Sequence, residues 1–143
     1  MNTPKQIAER IYPALNARDY DAFMSHFDAN VDYRDPDATA TDATALLGIV
    51  QWQMNMSPDG HFDTNRITAT DRLAVIELNY TGTFVNDVTM PDGTVFTANG
   101  KRFDVPIVEI VEVERGKVFR HRCYWDNLDV YTQLGLIPGA TSA

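Results

Sequence analysis

The last third of the chain places an acid and an imidazole at a spacing that suits proton transfer. Aromatic and polar residues alternate from Phe119 to Trp125, which predicts a strand, and Asp126 follows as the last residue of that strand. An acid at the mouth of a sheet, flanked by apolar residues, is well placed for acid–base chemistry. Imidazole exchanges protons near neutral pH. We therefore predict Asp126 as the catalytic acid or base, with His121 as a candidate assistant.

Both residues also have a structural explanation. Asp126 could cap a short amphipathic helix over Leu128–Leu134, because Asp is a favoured N-cap residue. His121 could simply pair with a nearby strand acid such as Glu109 or Glu112. In a regular strand His121 and Asp126 lie on opposite faces, so both reach one pocket only at a bulge or a strand end.

Asp35 is a second candidate for acid or base, placed across the pocket from the last strand. It directly precedes Pro36, at the end of a short strand predicted over Asn30–Asp35. The alternative role is an Asx turn, in which the carboxylate accepts hydrogen bonds from its own backbone.

Several aromatic residues could form the walls of a site for a hydrophobic ligand, although aromatic side chains in sheets are often ordinary core residues. The predicted wall residues are Trp125, Tyr33, Trp52, Phe84, Phe103 and Tyr80, with His61 at the mouth. The sequence has no glycine-rich phosphate loop, metal-ligand cluster or nucleophile elbow, so we expect no metal and no cofactor. Cys123 is expected to be a small buried residue.

The elements that must position these residues follow from periodicity and caps. Thr3 and Gln6 form a capping box, and Asp19 and Asp42 cap a second and a third helix. From His61 onward the apolar period changes from helical to two, which predicts a run of antiparallel strands. Helices followed by a separate sheet define an α+β fold. A strongly bent sheet wrapped around helices would enclose an apolar interior, the usual form of a small-molecule site.

Length, charge and cysteine content limit the possible partners. A chain of 143 residues suits a single domain over residues 1–143. The formal net charge of −8 argues against nucleic acid and anionic membranes as partners. The single cysteine fits a reducing compartment, and no apolar run approaches a membrane span, so we expect a cytoplasmic protein. We also predict a homodimer formed through the sheet, because one layer of helices covers only one of its faces.

The final segment resembles the SnoaL-like polyketide cyclases of the nuclear-transport-factor-2-like superfamily, and the order of elements agrees over essentially the whole chain. The shared pattern is Gly116-Lys117-Val118, His121, Asp126 and Gln133-Leu134-Gly135. The resemblance implies a cone of three N-terminal helices on a strongly bent antiparallel sheet, with a short C-terminal helix. It also implies a cofactor-independent acid/base enzyme that cyclises, isomerises or dehydrates a hydrophobic carbonyl compound.

The first third resembles the bacterial ketosteroid isomerases in Ala14–Asp19 and in Val31–Pro36. That resemblance assigns the general base to Asp35. The isomerase's oxyanion acid falls near Val108 and its tyrosine near Ile11, and the missing donors argue against steroid isomerase activity. Two non-catalytic alternatives remain: a small-ligand-binding module of the same fold, and a structural dimer whose cone is filled.

Overall fold

The computed structural model describes residues 1–138, which contain four helices and eight strands. The helices are α1 (Pro4–Asn16), α2 (Tyr20–Met24), α3 (Ala43–Asn55) and α4 (Asn127–Gln133). The strands are β1 (Phe27–Arg34), β2 (Thr39–Ala40), β3 (His61–Ala69), β4 (Leu73–Thr83), β5 (Val88–Thr89), β6 (Val95–Phe96), β7 (Arg102–Glu114) and β8 (Lys117–Tyr124).

The helices begin at the predicted caps. The Thr3 hydroxyl accepts a hydrogen bond from the Gln6 backbone at 3.2 Å, and the Gln6 side chain accepts one from the Thr3 backbone at 2.9 Å. The Asp19 and Asp42 side chains cap α2 and α3, each by accepting one hydrogen bond from a backbone N–H group of the first helical turn. These caps satisfy backbone N–H groups that the first helical turn leaves without partners. The apolar face of α1 is buried in the core through Ile7, Ala8, Ile11 and Leu15.

Six strands form one sheet in the order β2-β1-β8-β7-β4-β3. The strands from β3 to β8 in this sheet pair antiparallel as predicted, whereas β1 joins the edge of β8 in parallel. Register shifts interrupt the β1–β8, β3–β4 and β7–β8 pairings. Bulges of this kind bend a strand and increase its twist, so the sheet curls around the helices. The short β5–β6 hairpin lies apart from this sheet.

The first strand begins at Phe27, earlier than the predicted Asn30. In the sequence Phe27 continues the apolar stripe of Tyr20, Phe23 and Met24, which locally favours a helix. In the structure Phe27 pairs with Val118, and the Val118 amide donates to the His26 carbonyl at 2.8 Å. The boundary is therefore set by pairing with a strand more than ninety residues later, which no local pattern reveals.

A bulge in β8 changes which residues of that strand face the interior of the protein. Glu112 pairs with Arg120 and Val113 with Val118, which leaves Phe119 as an extra residue. Val118 and His121 are consequently both buried, although an unbroken strand would place them on opposite faces.

No helix within residues 1–138 has the length and apolar character that a membrane span requires.

Candidate functional site

A cavity of about 150 Å³ lies between the helices and the inner face of the sheet. Most of its lining is aromatic or aliphatic, as in small-molecule sites generally. The polar exceptions are Asp37, Gln53, Glu109, His121, Cys123, Asn127 and the hydroxyl groups of Tyr12, Tyr33, Tyr80 and Tyr131. The chemistry available to a ligand in this cavity therefore depends on a small set of side chains.

Three of these polar side chains form a buried cluster on neighbouring strands. Glu109 lies directly opposite Cys123 in the β7–β8 register, and His121 is on the same face of β8. The Glu109 Oε1 atom lies 2.9 Å from His121 Nε2 and 2.6 Å from Cys123 Sγ. The three residues are 5%, 2% and 4% exposed. One carboxylate oxygen thus holds both neighbours at the cavity wall.

The hydrogen positions in this cluster follow from the contacts. Nε2 of His121 faces a carboxyl oxygen and therefore carries the proton, while Nδ1 is buried without a partner in residues 1–138. Burial, reinforced by the neighbouring Glu109, raises the pKa of the Cys123 thiol well above its usual range, so the thiol is also a donor. Both donors use Oε1 of Glu109, and Oε2 accepts no hydrogen bond from the described residues.

Asp35 lies behind the cavity wall, outside its lining, and supports it. Its Oδ2 atom accepts hydrogen bonds from the Tyr33 hydroxyl at 2.5 Å and from Gln53 Nε2 at 2.7 Å. Its Oδ1 atom accepts from the backbone N–H groups of Asp37 and Ala38, at 2.7 and 2.8 Å. All these bonds fix a carboxylate that is only 7% exposed. Asp35 forms the Asx turn that the sequence left open, and it positions Tyr33 and Gln53.

Tyr33 links this support to the buried cluster. Its ring meets the His121 ring edge-on, with 5.2 Å between ring centroids. Burial is the largest cause that raises the pKa of the Tyr33 hydroxyl well above its usual range, and the neighbouring Asp35 carboxylate adds to it. The hydroxyl therefore keeps its proton, which it donates to Asp35.

A second carboxylate of the lining, Asp37, is held by α4. Its Oδ1 atom accepts a hydrogen bond from Asn127 Nδ2 at 2.8 Å, and Asn127 Oδ1 accepts one from the Trp125 indole at 2.8 Å. Burial is the main reason that the pKa of Asp37 is raised, and the Asn127 contact opposes this shift. This series of hydrogen bonds from Asp37 through Asn127 to Trp125 fixes α4 against the connection between β1 and β2.

The prediction that Asp126 points into the cavity is wrong. Asp126 is exposed, and its Oδ1 atom accepts hydrogen bonds from the backbone of Leu128 at 2.9 Å and of Asp129 at 3.2 Å. It is the N-cap of α4. The strand ends at Tyr124, and Asp126 is the residue at which the chain enters α4, so its carboxylate meets the backbone donors of the first helical turn instead of the cavity.

His61 also lies outside the cavity lining, contrary to the prediction. It is exposed at the start of β3, with Nε2 3.3 Å from Asp63 Oδ1. The other predicted wall residues all line the cavity: Trp125, Tyr33, Trp52, Phe84, Phe103 and Tyr80. Their contact with a ligand stays a prediction.

Sequence reasoning missed Asp37, Gln53 and Cys123 as site residues, and named Glu109 only as a partner of His121. A signal for Glu109 was present in the strand pattern. The inward positions of β7 include Phe103, Ile107 and Val111, and Glu109 occupies the same face. An acid on the apolar face of an alternating strand must have buried partners. Asp37 and Gln53 carried no such signal, because tertiary contacts alone bring them to the cavity.

By type, Glu109, His121 and Cys123 could hold a metal ion, since one donor atom from each lies within 4.8 Å of the others. Tetrahedral zinc keeps such donor atoms about 3.3–3.5 Å apart. The separations of 2.6, 2.9 and 3.4 Å in the cluster are mostly shorter and fit hydrogen bonds. Metal binding would therefore require the three side chains to move apart.

Comparison with known proteins gives the family. Residues 8–121 match the SnoaL-like domain model. The chain belongs to the SnoaL-like domain family. No curated protein matches the chain.

Solved structures of the same fold agree with this assignment. AclR of Streptomyces galilaeus, a proposed hydroxylase, superposes with a TM-score of 0.80 at 18% identity, covering 96% of this chain and 83% of AclR. IdmH of Streptomyces antibioticus, a proposed polyketide cyclase, gives a TM-score of 0.77 at 19% identity, covering 94% and 99%. A protein of ketosteroid isomerase-like fold from Catenulispora acidiphila gives 0.74 at 20% identity, covering 94% and 95%. The predicted α+β fold of the nuclear-transport-factor-2-like type is confirmed.

Proposed function

We propose that this SnoaL-like protein is an acid/base enzyme that removes a proton next to a carbonyl group of a hydrophobic small molecule. The observation that carries the proposal is the Glu109 carboxyl group. It lines a mostly apolar cavity, Oε1 is fixed by two donors, and Oε2 accepts no hydrogen bond from the described residues. A fixed carboxylate with a free oxygen in such a cavity has the arrangement that a general base needs.

In the proposed reaction Glu109 Oε2 takes the α-proton, and the C–H electron pair becomes the double bond of an enolate. The enolate carbon then attacks a second carbonyl of the same molecule, whose oxygen takes the proton from Glu109. This sequence closes a ring without any oxidant. Return of the proton to a different carbon would give isomerisation instead. His121 and Cys123 keep the base oriented throughout, because both donate to Oε1.

The walls supply the remaining part of the rate enhancement. Trp52, Phe84 and Phe103 line the same cavity as Glu109. Aromatic walls that hold a flexible substrate in its reactive conformer replace entropy that the reaction in water would lose.

The residues at and beside the place of the isomerase's oxyanion-hole acid argue against a steroid isomerase mechanism. The sequence comparison placed that acid near Val108, which is 40% exposed in β7. The neighbouring Glu109 faces the cavity, but it accepts hydrogen bonds from His121 and Cys123. An oxyanion hole requires donors. Glu109 therefore suits a base better than an oxyanion donor.

The proposal is tested by proton exchange. β-Tetralone, a bicyclic ketone with exchangeable α-protons, is incubated in D₂O with the wild-type protein and with Glu109→Gln, and exchange is followed by NMR. We expect the wild-type protein to exchange the α-protons faster than buffer alone does. The catalysed rate should fall by about 10²–10⁴-fold in Glu109→Gln. Quenching of Trp52 and Trp125, which both line the cavity, measures binding separately. Binding of the ketone without enhanced exchange would favour a ligand-binding module.

We also propose a homodimer through the outer face of the sheet. Val108 and Tyr124 are cross-strand neighbours on β7 and β8, and they are 40% and 55% exposed. An apolar pair in the middle of a sheet is a natural centre for a contact between two copies. Light scattering is expected to give twice the chain mass of 16.1 kDa, and a monomer at micromolar concentration would contradict this proposal.

A further inference from the structure

The charged side chains of the cavity lining have one sign. Asp37 and Glu109 carry carboxyl groups, and within residues 1–138 no lysine or arginine lines the cavity. His121 uses its Nε2 proton for Glu109. In a low-dielectric cavity, repulsion between like charges is far stronger than in water. Ligands that carry a carboxylate, sulfonate or phosphate are therefore disfavoured.

The aromatic walls strengthen this preference. The face of an aromatic ring is electron-rich, and it attracts an ammonium group placed over it, most strongly when both are removed from water. Trp125 and Tyr131 lie on the segment that also carries Asn127, the hydrogen-bond partner of Asp37. The Phe96 ring packs beside Tyr131, with 5.7 Å between centroids. A carboxylate that lines the same cavity as several aromatic rings has the composition of an ammonium-binding site.

Asp37 has an oxygen available for such a ligand. Its Oδ1 atom accepts the bond from Asn127, and no described residue donates a hydrogen bond to Oδ2. The neighbouring Asp35 carboxylate adds negative charge, and within residues 1–138 no lysine, arginine or histidine forms an ion pair with Asp37. Among the described residues the Asp37 carboxylate is thus partly removed from water without a cationic partner, which is costly until a cation binds.

We propose that the cavity selects hydrophobic molecules that carry an amine or a quaternary ammonium group, and that Asp37 binds this group. The inference deepens the proposed function and rests on it for the carbonyl group beside Glu109, so the substrate class is a hydrophobic amino ketone. The formal net charge of −8 assists, because a negative protein raises the local concentration of cations.

Three ligands of matched shape and different charge test the proposal: phenyltrimethylammonium, its neutral isostere tert-butylbenzene, and the anion benzenesulfonate. Binding to the full chain is followed near neutral pH by the fluorescence of Trp52 and Trp125, the only tryptophans of the sequence. We expect the cation to bind at least about tenfold more tightly than the isostere. Benzenesulfonate should bind more weakly than either.

Two variants locate the effect. Asp37→Asn should weaken binding of the cation about tenfold while tert-butylbenzene binds as before. Asp42→Asn removes the same charge from an exposed helix cap outside the cavity lining and should change neither affinity. Equal affinity of the wild type for cation and isostere overturns the proposal, as does unchanged cation binding in a folded Asp37→Asn protein.

The outcome is independent of turnover. If β-tetralone exchange fails while the wild type prefers the cation, the proposed catalysis is wrong and selection for cations stands. If exchange depends on Glu109 while the three ligands bind equally, catalysis stands and selection for cations is wrong.

Discussion

Glu109 lies in β7 and Asp126 follows the neighbouring strand β8, and the two acids have different surroundings and different roles. Glu109 lies within β7, is 5% exposed, and is held by the side chains of His121 and Cys123. Asp126 follows β8, is exposed, and is held by the backbone of Leu128 and Asp129. The contrast shows that an acid on the inward face of a strand reaches the cavity, whereas an acid just after a strand end is held by the free backbone N–H groups of the next helix.

The largest expected effect on stability is at the buried pair of His121 and Glu109, and an exposed ion pair on the same two strands serves as its control. His121→Phe removes the imidazole donor and leaves Glu109 with only the thiol, which should cost about 1–3 kcal/mol. The control is Arg120→Gln, which breaks the 2.7 Å contact with Glu112 on the half-exposed side and should cost at most about 1 kcal/mol. Urea unfolding of both variants measures the difference. Equal costs would mean that the buried bond contributes no more than a surface ion pair.

A smaller effect is expected at Asp126. Asp126→Ala removes the acceptor for two backbone N–H groups and should lower the free energy of unfolding by about 1 kcal/mol. Asn caps a helix about as well as Asp, so Asp126→Asn should leave stability nearly unchanged. Thermal unfolding of the two variants separates these cases. An equally large loss in Asp126→Asn would show that the negative charge matters more than the cap.

The smallest effect is a pH dependence at Asp37. Because its pKa is raised in the folded chain, the native state holds this proton more tightly than the unfolded state does. Its contribution to stability is therefore lost as the pH rises from the ordinary aspartate value near 4 through the raised pKa. Asp37→Asn has no such titration, so its Tm relative to the wild type should rise across this interval. A difference that is constant with pH would contradict the assignment.

The fold could largely be predicted from the sequence, because its signals are local. The capping box of Thr3 and Gln6, the caps at Asp19 and Asp42, and the change of period at His61 each mark an element that the structure contains. The parallel pairing of β1 with β8 carried no local signal, because it joins residues that are far apart in the chain.

The site was less predictable. The strand pattern identified His121 and most aromatic wall residues, since alternation fixes which residues face inward. Asp126 was misplaced because a strand-to-helix junction offers a carboxyl group two uses, a cap or a catalyst, and the sequence does not say which backbone donors will be free. The Asp37 side chain is held at the cavity by Asn127, which is 90 positions away in the sequence.

The central claim is that Glu109, and not Asp126, is the working carboxylate, and one pair of rates tests it most directly. Exchange of the α-protons of β-tetralone is measured by NMR for Glu109→Gln and Asp126→Asn at the same pH and the same occupancy of the cavity. We predict a loss of about 10²–10⁴-fold for Glu109→Gln and a rate close to the wild type for Asp126→Asn. A large loss in Asp126→Asn with little change in Glu109→Gln would contradict the claim.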